Sequence, residues 1–227
     1  MANTQTSVPA FTAGQVLTAA QMTEINTGIP VFADTTARDA AFGGTGEKTL
    51  AEGQFAYIES SNVTQFYDGT SWQLLGGVVQ VKSAFKDDTF TMASATFTDI
   101  TGLTVSITPT SSSNKVLCIA TSTMCQSVGT NNGFVRLARG GTGIGVGAAA
   151  GSRIPSAGDV IATNALFGYP VSVSFLDSPA TTSATTYSLQ VANNGSATIY
   201  VNRSQTDTNS SSFSRYSSTI TVLEVTP

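Results

Sequence analysis

The sequence contains no histidine, two cysteines, one tryptophan and only 24 charged side chains in 227 residues. Without histidine, Ser-His-Asp and Cys-His nucleophiles, histidine metal sites and the usual neutral-pH base are excluded. Cys118 and Cys125 fall on opposite faces of a regular strand, so a disulfide between them would need an intervening turn. Zinc would want more ligands than these two, and both read as buried small hydrophobes. No apolar run reaches the ~20 residues of a membrane-spanning helix. The N-terminal MANTQTSVPAFTAG has neither the basic region nor the apolar core of a signal peptide. These absences predict a soluble chain made in the cytoplasm, with no membrane insertion. The sequons at Asn62, Asn194, Asn202 and Asn209 then carry little meaning, because a Ser/Thr-rich chain produces them by chance. Basic residues are scattered singly, with no interleaved aromatics, which argues against nucleic acid as a partner.

What is present is hydroxyl. Thr (35) and Ser (27) make up over a quarter of the chain, alongside 41% apolar residues. Disorder would need low hydrophobicity with high net charge. Here the apolar residues sit in short alternating runs between Gly, Asn, Asp and Ser turns, the pattern of folded β-structure. The net charge of −4 is uneven: residues 1–77 carry seven acids against Arg38 and Lys48, while residues 78–227 carry eight bases against seven acids. Together with the Gly76-Gly77 pair, this predicts two domains, 1–77 and 78–227.

Residues 1–11 read as an extended polar arm. Thr18 to Gly28 carries Thr18 and Gln21 at capping-box spacing and ends in glycine, which predicts a short helix. A second is predicted over Thr36 to Phe42, with Asp34, Thr35 or Thr36 as its cap. From Gln54 the period changes to two. Gln54 to Glu59, Val63 to Tyr67 and Ser71 to Leu75 form a predicted three-stranded meander, turning at Ser60-Ser61-Asn62 and Asp68-Gly69. Strands are then predicted at Val78 to Phe85, Thr89 to Phe97, Leu103 to Thr108, Lys115 to Met124, Phe134 to Arg139 and Ile144 to Val146. Four more follow at Val171 to Leu176, Tyr187 to Ala192, Ala197 to Asn202 and Thr219 to Val225. The segments Asp99 to Gly102 and Asn193-Asn194-Gly195 read as turns. The whole is mainly β, with a C-terminal antiparallel β-sandwich of jelly-roll type. Exposed strand edges with few charges to guard them point to oligomerisation.

Three segments could carry chemistry. Asp87-Asp88 offers a carboxylate pair for glycosidase or calcium chemistry, and reads better as a solvated turn. The run Gly140 to Gly147 lacks the Lys-Ser/Thr ending and the spacing of a phosphate loop; a strand or loop closely approached by another backbone fits it better. Phe55, Tyr57, Phe66, Tyr67 and Trp72 could form a sugar-stacking platform or the core of the meander. Tyr67 and Trp72 are the candidate glycan-binding residues. No catalytic residue, metal site or cofactor motif is identified, so a non-enzymatic role is expected.

Pro9 to Leu75, with its helix-containing arm and a meander ending in YDG-x-x-W (Tyr67 to Trp72), resembles the N-terminal module of tailed-phage appendage proteins. Phe97 to Cys118, Arg136 to Gly147, Ser174 to Val191 and Ser218 to Val225 resemble domains of phage and prophage fibres. The resemblance implies a virion location and a homotrimer. Residues 1–77 would be attached to other virion proteins of tail or capsid, and the C-terminal domain would face a host-surface glycan. Tail fibre or spike is the first expectation, a head fibre or capsid-decorating protein the second, and a glycan depolymerase the third.

Overall fold

Period two governs nearly every element of the computed structural model, which describes residues 14–18, 28–44, 47–127, 132–160, 164–195 and 197–226. The chain is mainly β and divides into two compact units, Met1–Gly77 and Val78–Pro227. No helix among the described residues is long and apolar enough to cross a membrane.

In the first unit, β1 (Val31–Phe32) lies parallel to β2 (Phe55–Ile58), which continues antiparallel into β3 (Val63–Tyr67) and β4 (Trp72–Leu74). Helix α1 (Thr35–Ala40) is capped by Asp34, whose carboxylate accepts from the Ala37 amide at 2.8 Å. Phe32, Ala41, Ala56 and Ile58 form a small buried cluster, with Phe42, Val63 and Trp72 packed against it. The helix predicted over Thr36 to Phe42 is α1. The one predicted over Thr18 to Gly28 lies mostly outside the described residues.

The second unit holds eleven strands among the described residues. One sheet runs β10 (Thr142–Ile144), β9 (Gly133–Arg139), β13 (Thr185–Asn193), β7 (Thr98–Ile107), with β11 (Gly158–Val160) also on β9. The other is built on β8 (Lys115–Gln126). Along one side of β8 lies β12 (Tyr169–Asp177); along the other lie β15 (Ser218–Val225) and then β14 (Ile199–Val201). Beyond these, β5 (Val78–Lys86) pairs with β15 and β6 (Phe90–Met92) with β14. All these pairings are antiparallel. Alternate residues of both sheets enter one core, including Leu103, Ile107, Met124, Leu137, Leu189, Ile199 and Ile220.

The expected turn at Asp99 to Gly102 is part of β7. Ile100 is fully buried, and Gly102 (φ 88°) lets the strand bend without breaking. The strand expected over Thr89 to Phe97 shortens to β6, and β11 has no counterpart in the sequence pattern.

Several polar groups brought into this core find their partners near strand ends. The Glu224 carboxylate, fully buried, accepts from Gln80 Nε2 (2.6 Å), Thr110 N (2.7 Å), Thr110 Oγ1 (2.8 Å) and Asn114 Nδ2 (2.6 Å). Asn202, also fully buried and at φ 61°, donates from Nδ2 to the carbonyls of Lys86 and Asp88 at 3.0 Å each. Its Oδ1 accepts from Ser218 Oγ at 2.6 Å. Across the two sheets, the Tyr187 hydroxyl (2.7 Å) and Arg139 Nη1 (2.8 Å) both donate to Asp177 Oδ2.

Burial by itself would raise the Glu224 carboxyl; the hydrogen bonds from Gln80, Asn114 and Thr110 more than offset it and hold the group below the usual glutamate range. A lowered folded-state pKa contributes stability that is full above the unfolded value and disappears as pH falls through the folded one. Glu224→Gln is therefore expected to cost about 1–3 kcal/mol at neutral pH and to flatten the acid limb of stability below the ordinary glutamate pKa. Urea unfolding at stepped pH checks this, and equal acid slopes in parent and variant would refute it.

Candidate functional site

The aromatic side chains of the meander divide between its two faces. Ala56, Ile58 and Val63 point toward α1, and by alternation Gln65, Tyr67, Trp72 and Leu74 share that face. Tyr67 and Trp72 are direct cross-strand partners with ring centroids 5.6 Å apart. Phe42 lies 5.9 Å from Trp72, and the Arg38 guanidinium sits over the indole ring at 4.7 Å. Arg38 is itself buried; it donates to Asp39 Oδ1 from Nε (2.8 Å) and to Gln65 Oε1 from Nη1. Trp72 thus spends much of its ring inside the unit, and Tyr67 is half-buried beside it. Phe55 and Phe66, centroids 6.5 Å apart, occupy the opposite face with Tyr57. The five aromatics do not form one platform.

The YDG-x-x-W pattern has a conformational explanation. Asp68 Oδ1 accepts from the amides of Thr70 and Ser71, each at 2.8 Å, and Gly69 adopts φ 92°. These bonds, led by that from Ser71, hold the exposed Asp68 carboxyl below its ordinary value. The turn then sets Tyr67 opposite Trp72.

Asp87-Asp88 is a solvent-facing turn. Asp88 is ion-paired with the Lys86 ammonium at 2.6 Å, and no three His, Cys, Asp or Glu side chains among the described residues converge on a metal-sized space. In the glycine run, Gly140 and Gly141 (φ 54° and 84°) make the two-residue turn from β9 to β10. Side chains approach Gly143 and Gly145, while another stretch of backbone approaches Gly147, whose amide donates to the Ser156 carbonyl at 3.1 Å. A Cβ on Gly143 would stand 2.8 Å from Arg136, and one on Gly145 2.8 Å from the ring of Phe175. Cys118 and Cys125 are free and buried; burial pushes the Cys118 thiol up to about 12.

A constellation not anticipated from sequence lies in the connection from β14 to β15. Asp207 accepts from both terminal guanidinium nitrogens of Arg215, Nη2 at 2.9 Å, and stands 3.3 Å from Arg203 Nη1. Arg203 stacks over Tyr200 at 4.7 Å and donates from Nε and Nη2 to the carbonyls of Ser204 and Gln205. The hydrogen bond from Arg215 holds the Asp207 carboxyl below its usual range. Asp207, Asn209, Ser210, Phe213 and Arg215 line a surface depression of about 250 Å³. Carboxylate, amide, hydroxyl and guanidinium around one aromatic ring are the groups that bind sugar hydroxyls and a sugar's apolar face. The signal available in sequence was the polar segment RSQTDTNSSSFSRYSS, whose three charges are Arg203, Asp207 and Arg215.

No family model matches the chain, and a search of curated proteins finds no match.

Gly69→Ala isolates the turn chemistry. The nearest atom to the new Cβ would be Glu52 Cβ at 3.7 Å, an ordinary contact, so only backbone strain is added. A loss of about 1–2 kcal/mol in the first unit is expected, read as faster amide hydrogen exchange in β3 and β4 with β8 and β15 unchanged.

Proposed function

We propose that the chain is a structural, non-catalytic subunit of a tailed-phage virion, a tail fibre or spike protein that assembles as a homotrimer. Residues 1–77 attach it to the particle, and residues 78–227 present a glycan-binding surface to the host. The observation that carries this reading is the division into an acidic helix-and-meander unit and a larger antiparallel double-sheet unit with a long, hydroxyl-rich loop. The resemblance of the YDG-x-x-W module and of the C-terminal segments to phage appendages supplies the virion context.

Strand order supports the finer assignment of the second unit as a β-sandwich of jelly-roll type. Its first strand, β5, pairs with its last, β15; β15 pairs with β8 and β8 with β12, while the facing sheet nests β7, β13 and β9 in the same alternating way. Such double sheets build both capsid and lectin domains. For the glycan, the depression at Asp207, Phe213 and Arg215 suits the outward role better than Tyr67 and Trp72, whose rings pack within the first unit.

Two measurements test the proposal. Antibody-gold labelling of intact particles is expected to mark tail appendages in small multiples of three; labelling of the head in tens of copies selects the capsid-decoration alternative, and unlabelled particles end the reading. In calorimetric titration with host polysaccharide, Phe213→Ala and Arg215→Ala are each expected to weaken binding at least tenfold, with Trp72→Ala neutral. The reverse order would return the glycan site to Tyr67 and Trp72, and shortened polysaccharide chains would revive the depolymerase.

A further inference from the structure

The two outer faces of the second unit differ in kind. On the β7–β13–β9 sheet, Gln190 links charged side chains: its Nε2 donates to Asp99 Oδ1 at 2.9 Å and its Oε1 accepts from Arg136 Nε at 2.8 Å. The outer face of the β5–β15–β8–β12 sheet has no such groups. A row of direct cross-strand partners, Val81, Leu223, Leu117 and Leu176, crosses all four strands. Two neighbouring rows, from Ser83 to Ser174 by way of Ile119 and from Phe85 to Ser172 by way of two threonines, are also uncharged. Val81, Leu176 and Ile119 are 54%, 46% and 37% exposed, and Phe85 is 65% exposed. Charges stand beyond these rows at both ends: Lys115 two residues before Leu117 on β8, and exposed Asp87 two residues after Phe85.

From this we infer that the outer face of the β5–β15–β8–β12 sheet is the surface through which copies of this chain associate, which deepens the oligomeric part of the reading above. Three observations favour a second copy as the occupant. Rows without charge set up no like-charge repulsion against a second copy and offer nothing to steer a charged partner. Four strands ~4.8 Å apart and three rows ~6.8 Å apart give roughly 400 Å² of flat area, about half of the ~800 Å² per partner in a standard interface. Finally, the face has a knob and a hollow at opposite sides. Phe85 stands out on β5, while Thr121, Thr123, Pro170 and Ser217 line a groove of about 410 Å³ along β8 and β12. A knob and a hollow on different strands are what a head-to-tail ring joins, each copy seating its phenylalanine in the next.

The test is the solution mass of the full chain by light scattering, for the parent, for Val81→Lys with Leu176→Lys, and for Ser174→Arg. The parent is expected at three times the single-chain mass and both variants at the single-chain mass, with unchanged circular dichroism. Ser174 is exposed and contributes nothing to the core, so Ser174→Arg remains decisive where the double variant fails to fold. A folded Ser174→Arg chain that keeps the parent mass overturns the face and leaves the trimer standing. A parent that is monomeric overturns both, whereas particle labelling judges the virion assignment independently.

Discussion

Everything in the larger unit depends on one strand being paired along most of its length on both sides. β8 gives its backbone to β12 on one flank and to β15 and β14 on the other, and its alternate residues Val116, Cys118, Ala120 and Met124 are the floor of the core. Because side chains alternate with a period of two, a slip of one residue would turn Leu117 and Ile119 inward and these four outward. The register of β8 therefore sets that of β12, β15 and β14, and through them that of β5 and β6. Small side chains such as Cys118 and Ala120 share this core with larger ones from the facing sheet, among them Leu137 and Leu189.

The polar clusters mark where this register ends. On its inward face β15 reads Ser218, Ile220, Val222, Glu224: two apolar residues between a buried hydroxyl and a buried carboxylate. At each end those polar groups meet donors or acceptors from elsewhere in the chain, Asn202 at one and Thr110 with Asn114 at the other. A displaced strand would leave these groups in the core without partners, a penalty that any alternative apolar packing would have to overcome. Hydrophobic alternation positions the strands, and hydrogen-bonded ends limit where they can rest.

This division of labour explains what the sequence discloses. Strands with four or more alternating residues, β8, β9, β12, β13 and β15, are legible from pattern alone. β1 and β11 are two and three residues long, too short for a period to show. β7 is misread because Asp99 to Gly102 has the composition of a turn, while in the fold it lies beside β13, whose Ser188 and Gln190 both donate to Asp99. The glycine run is legible as a place of close approach, yet what approaches, Arg136 and Phe175, belongs to other strands. At the candidate sites, the pairing of Tyr67 with Trp72 follows from the hairpin. The convergence of Arg203, Asp207 and Arg215 depends instead on how a sixteen-residue connection folds back between β14 and β15.

Trp72, the single tryptophan, also makes the molecule optically divided. It sits wholly within the first unit, under a guanidinium and against Phe42, whereas most strand amides belong to the second. Light that excites tryptophan but not tyrosine consequently reports the opening of one unit alone, and the far-ultraviolet signal reports chiefly the other. The two halves of an unlabelled chain can be melted in the same cuvette and followed separately.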